Sequence, residues 1–71
     1  MFYEELLNRI QADIRTRVRY RLNDEHLDEI RDDVRKLVVV LWANYIITNQ
    51  ERDSLERDAL LFLESCVRYY R

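Results

Sequence analysis

The chain has 71 residues, 48% hydrophobic and 37% charged, with a net charge of −2. That composition sets one folded domain, excludes a disordered chain, and argues against a strongly electrostatic nucleic-acid binder while leaving room for a local basic patch. A single cysteine, Cys66, and a single histidine, His26, exclude an internal disulfide and a structural zinc site of the usual Cys/His type.

Glycine and proline are both absent, so turns must be built from Asn, Asp or Thr. Leu6, Leu7, Ile10, Ile14, Val18 and Leu22 recur at three- and four-residue spacing and predict an amphipathic helix over 3–22. Within it, Ile14 to Leu22 alternates strictly and is rich in strand formers. That segment also reads as a β-ribbon of the ribbon-helix-helix kind, its arginines facing a DNA groove. The unbroken helical spacing, and the length of the two helices that follow, favour helix.

Asn23 is a good N-cap for a second helix over 24–47, with Leu22 and Leu27 at the staple positions. Leu27, Ile30, Val34, Leu37 and Leu41 carry its inner face. Thr48-x-x-Glu51 has the form of a capping box for a third helix over 50–70. Leu55, Ala59, Phe62, Leu63, Cys66, Val67 and Tyr70 point inward there. The expected fold is all-α: three antiparallel helices, up-down-up, in a single domain over 1–71.

Charge placement supports these boundaries. Each helix opens on acids, and the first and third close on arginines, as the helix dipole favours. Five pairs set an acid four residues before a base: Glu5–Arg9, Asp13–Arg17, Asp32–Lys36, Asp53–Arg57 and Glu64–Arg68. The second helix opens with two like-charged columns, Asp24-Asp28-Asp32 and Glu25-Glu29-Asp33. Arg15 with Arg19, and Arg17 with Arg21, form columns on the first. Across a tight turn these opposite columns are expected to neutralise one another.

The middle of the second helix is apolar all round, from Leu37 to Ala43 and again from Tyr45 to Ile47. A three-helix monomer needs only one apolar stripe per helix. A core this small leaves a few kcal/mol of stability, and association is the expected supplement. The composition therefore points to a helical homodimer whose interface uses Leu37, Val38, Leu41, Trp42, Tyr45 and Phe62, with Asn44 fixing register. The function expected is that of a non-enzymatic interaction or adaptor module with an unidentified protein partner. The alternative is a small nucleic-acid-binding regulatory or replication accessory protein using Arg15, Arg17, Arg19, Arg21, Arg68 and Arg71, interleaved with tyrosines at one end of the bundle.

No Gly-rich phosphate loop, nucleophile elbow or zinc motif occurs, and His26 reads as a solvated or salt-bridged side chain, so neither enzyme chemistry nor a cofactor is expected. The free thiol suits a reducing, cytoplasmic compartment. MFYEELL carries acids where a secretion signal needs positive charge, and the apolar run is shorter than the roughly 20 residues that span a bilayer. Finally, Phe2-Tyr3-Glu4-Glu5, a long middle helix, Glu51-Arg52-Asp53 and a closing Leu63–Tyr70 segment together are similar in order to the helical domain of GINS replication subunits. The middle helix departs from that family, being apolar where the family tends to place basic residues.

Overall fold

The computed structural model describes residues 2–71; Met1, the first residue of the expected domain, lies outside them. Three α-helices occupy nearly all of it: α1 (Phe2–Tyr20), α2 (Asp24–Ala43) and α3 (Asn49–Tyr70). The strand alternative for 14–22 is excluded, because the period-four apolar stripe of α1 runs through it and buries Ile10, Ile14 and Val18. α1 stops at Tyr20, two residues short of the expected end, and Leu22 packs half-buried against the core from the turn.

The caps explain the other boundaries. The Asn23 side chain accepts from the His26 backbone N–H at 2.8 Å and starts α2. Thr48 and Glu51 bond reciprocally: the Glu51 N–H donates to Thr48 Oγ1 at 3.1 Å, and the Thr48 N–H to Glu51 Oε1 at 2.9 Å. α2 does not run to residue 47. It ends at Ala43 because Asn44 caps it, with both the backbone N–H and the side-chain amide donating to the Val40 carbonyl. Asn44 therefore acts as a helix stop. The Tyr45 N–H then bonds to the Trp42 carbonyl and the Ile46 N–H to that of Leu41, the paired bonds of a Schellman ending. Tyr45 takes the left-handed position, φ 60°, that glycine usually fills. The chain reverses there, and Ile47 turns back into the core.

The core is one cluster: Ile10, Ile14 and Val18 from α1, Leu27, Ile30, Val34 and Val38 from α2, Ile47, and Leu55, Ala59, Leu63 and Cys66 from α3. On α2 the inner stripe continues from Val34 to Val38, with Leu41 half-buried, and not to Leu37. Val38 is 1% exposed while Leu37 is 41% exposed. Val38, expected at an interface, belongs to the core of its own chain. With apolar residues on every side of this stretch, spacing alone does not choose between 37 and 38.

α3 is the keystone. It packs closely along α1 and along α2, whereas α1 and α2 make the least contact of any pair. The body measures 35 × 22 × 15 Å, so the bundle is flattened and the α1–α2 seam lies open.

A candidate interaction surface and a basic-aromatic cleft

The open seam begins with an ion pair. Arg17 donates to Asp33 at 2.8 Å and lies 3.9 Å from Asp13 of its own helix. Beside it runs a groove of about 220 Å³, floored by Leu6, Ile10, Val34 and Leu37 and rimmed by Arg9, Asp13, Arg17 and Asp33. Toward the α2 C-terminus the polar rim disappears. Leu37 and Val40 are exposed on the groove side of α2, and Phe2, one turn before Leu6, is exposed on α1. Around the outward face of the last two turns of α2 come Val39 and Ala43, then Ile46 past the stop, with Lys36 the single charge among them. Exposed apolar side chains gathered on one face, rather than scattered singly, are the pattern that interaction surfaces show.

Trp42 and Tyr45 border this face differently. The Trp42 indole N–H donates to the Asn49 side chain, and the Arg52 guanidinium lies 4.6 Å from the indole ring centroid, so Trp42 is partly engaged inside the chain. Tyr45 touches almost nothing: it is 96% exposed. A bulky residue in the left-handed region costs roughly 1–2 kcal/mol, set against the two Schellman hydrogen bonds, while the ring itself adds almost no packing. Leu41 and Phe62 are half-buried against the core, so each offers only an edge to a partner.

The arginines expected to act together are dispersed. Arg17 is the one member of the α1 columns that meets the α2 acids, through Asp33. Arg71 closes the same end of the bundle by donating to Asp24 at 2.9 Å. Arg68 faces the other side of α3, beside Arg31, Glu64 and Val67. Arg15 points across to α3 and stacks over the Phe62 ring at 5.5 Å. Among the described residues no carboxylate lies within ion-pair distance of Arg15, Arg19, Arg21 or Arg68. The sparse packing of α1 on α2 is the reason: α3 takes most of the contact with both helices, and the columns expected to face one another do not meet. Of the five acid-before-base pairs, only Asp13–Arg17 closes. Arg31 and Arg35 instead reach back three residues to Asp28 and Asp32, and Arg35 also crosses to Glu56 at 3.4 Å.

Arg15 stands at the mouth of a cleft of about 430 Å³ between α1 and α3, walled by Phe62, Tyr69 and Tyr70, with Ser65 and Cys66 in its lining. The Tyr69 and Tyr70 rings meet edge to face at 4.9 Å. Burial pushes the Cys66 thiol up from its usual pKa, and Arg15 pulls weakly the other way, so the thiol stays protonated near neutral pH.

Two further polar groups fix the frame. The Tyr3 hydroxyl donates to Asp58 at 2.9 Å, tying the start of α1 to α3. Burial and the Asp58 bond push its pKa up to about 12. His26 sits half-buried, Nε2 3.2 Å from the Arg17 carbonyl and Nδ1 3.6 Å from Glu29, and closes the end of α1. Among the described residues no group of three or more His, Cys, Asp or Glu side chains is placed to hold a metal, and no helix is long and apolar enough to cross a membrane.

Phe2, Val39, Val40 and Ile46 are exposed but stand outside the interface set expected from the sequence, although the two valines carry a readable signal. Counted at 100° per residue from the Ile30–Val34 stripe, Val39 and Val40 fall on the outward half of α2. No protein-family model, no curated protein and no solved structure matches the chain, so the likeness in element order to GINS subunits gains no support.

Proposed function

We propose that this chain is a non-enzymatic interaction module working as a helical homodimer, its two copies joined through the open α1–α2 seam and the outer face of α2 after Lys36. The observation that carries this reading is the run of exposed apolar side chains on the outer face of α2, Leu37, Val39, Val40 and Ala43, among which Lys36 is the one charge. The intrachain neighbours of these residues are already used, and water is the alternative partner.

Charge sets the direction in which a second copy docks. The first half of α2 exposes Asp24, Glu25, Asp28, Glu29, Asp32 and Asp33. A parallel α2·α2 crossing brings these six acids against their twins. An antiparallel crossing about a two-fold near Val40 sends them to opposite ends and lets only the apolar halves meet. Ala43, small and outward, allows close helix approach. Tyr45 supports the same reading, because its ring stands almost fully exposed beside this face and is free to meet a partner.

Light scattering across a concentration series tests this. The chain is expected to be a dimer, and Val40→Asp a folded monomer, since Val40 is 54% exposed and its loss leaves the core intact. A wild-type chain that stays monomeric at high concentration would falsify the proposal. So would a Val40→Asp chain that remains dimeric. An unrelated protein held on the same face by a monomeric chain would identify a heteropartner instead.

A further inference from the structure

We infer that the cleft between the C-terminal halves of α1 and α3 binds single-stranded nucleic acid, one base stacking on Tyr69 while Arg15 and Arg19 hold the adjoining phosphates. The inference does not rest on the dimer: the cleft is built from side chains other than those of the apolar face.

Three observations combine. First, acids outnumber bases in this chain, yet Arg15 and Arg19 have no carboxylate partner among the described residues. Arg15 faces α3 over the Phe62 ring, and Arg19 follows it four residues on, about 6 Å further along α1. That separation is close to the spacing of phosphates along a relaxed single strand. Second, the cleft behind Arg15 is walled by aromatic rings and contains no acid. Its volume of about 430 Å³ admits a nucleobase. Third, Tyr69 is 81% exposed, and the Tyr70 ring meets it edge to face at 86°. One face of Tyr69 is thus open to a stacking partner.

The chemistry chooses among anions. An acidic peptide needs only the two cations and gains nothing from a flat ring. A base offers a π-face to Tyr69 and an edge to the Ser65 hydroxyl. A duplex hides its base faces, and its dense charge is repelled at this end by Glu25 and the rest of the acidic half of α2. A single strand meets both demands. With one cation lining the cleft and a second four residues along α1, affinity should be modest and should fall as salt rises.

The test is anisotropy of fluorescein-labelled oligothymidylate and oligouridylate, of about a dozen nucleotides, with the full chain at low salt. Saturable binding is expected, weaker for the matching duplex, with a loss of about tenfold or more for Tyr69→Ala and for Arg15→Ala. Both side chains are exposed, so circular dichroism should show unchanged helix content. Arg68→Ala on the other side of α3, and Val40→Asp on the apolar face, are expected to stay within about twofold of wild type. Because Cys66 lines the cleft, the bound oligonucleotide should also slow its alkylation by N-ethylmaleimide. No binding at low salt overturns the proposal. So does equal loss from Arg68→Ala, which means diffuse attraction, or equal affinity for polyglutamate, which means an acidic-peptide site.

Discussion

The two halves of α2 share an inner face and differ completely on the outer one. Leu27 and Ile30 in the first half, and Val34 and Val38 after them, bury one continuous stripe against α3 and α1. Outside, residues 24–33 expose six carboxylates, while residues 36–43 expose one lysine and otherwise Leu, Val, Trp and Ala. The inner stripe therefore determines the bundle, and the outer change determines what can approach it. Water and cations suit the first half; another apolar surface suits the second.

The most disruptive change tests what the halves share. Ile30→Ala empties a fully buried site in the acidic half and should cost about 2–5 kcal/mol, enough to unfold much of a chain this small. Val38→Ala in the apolar half should cost about 1.5–3 kcal/mol by the same mechanism. Urea denaturation of both reads this out, and a difference well beyond their side-chain volumes would mean that the inner stripe is not continuous.

What separates the halves is tested next. Val40→Asp should weaken self-association by two orders of magnitude or more, since it places an unpaired charge in the contact. Glu29→Ala, the matching change in the first half, should leave association unaltered. Sedimentation equilibrium distinguishes the two.

The Tyr3 clasp supports the apolar end, where α1 meets α3. Its pKa rises from 10.0 to about 12 on folding, so the proton is held more tightly in the folded state. The clasp's contribution is complete below pH 10 and is lost as pH climbs toward 12. Thermal melts of wild type should decline across that window more steeply than those of Tyr3→Phe, which has no proton to lose there.

Smaller effects concern the boundary of the apolar half and the rim of the seam. Tyr45→Gly relieves the left-handed residue at some entropic cost in the unfolded chain. Made in the monomeric Val40→Asp background, it should stabilise by about 0.5–1 kcal/mol, a rise of roughly 4 °C in melting temperature. Arg17→Ala breaks the partly exposed pair with Asp33 and should cost no more than about 1 kcal/mol. That difference should shrink at high salt, and a salt-independent loss would mean that Arg17 acts through packing.

Much of this architecture was legible from local rules. Asn23 and Thr48-x-x-Glu51 announced two helix starts, and both caps form as those side chains require. The end of α2 was hidden because its stop signal is Asn44 followed by Tyr45, where a glycine would have been plain to read. The choice of Val38 over Leu37 was hidden because a stretch apolar on every side has no phase. The arginine columns were visible, but their partners depend on how closely α1 packs on α2. That packing is loosened by α3, which takes most of the contact with both and whose docking lies beyond any local spacing rule. Of the arginine set, Arg17 and Arg71 are paired with acids, Arg15 turns to Phe62, Arg68 lies on the other side of α3, and Arg19 and Arg21 have no carboxylate partner among the described residues.

The keystone position of α3 also dictates an order of assembly. α1 leaves the ribosome first, yet its closest neighbour is the helix that emerges last. Until α3 arrives, Ile10, Ile14 and Val18 have only the loose seam with α2 to cover them. The α2–α3 corner, with its Schellman ending and capping box, needs only local contacts and is expected to close first. The parallel docking of α1 must wait for the longer loop to close. Pulse-labelled amide exchange during refolding should then protect α2 and α3 ahead of α1, and simultaneous protection of all three would show that the distant seam forms with the near one.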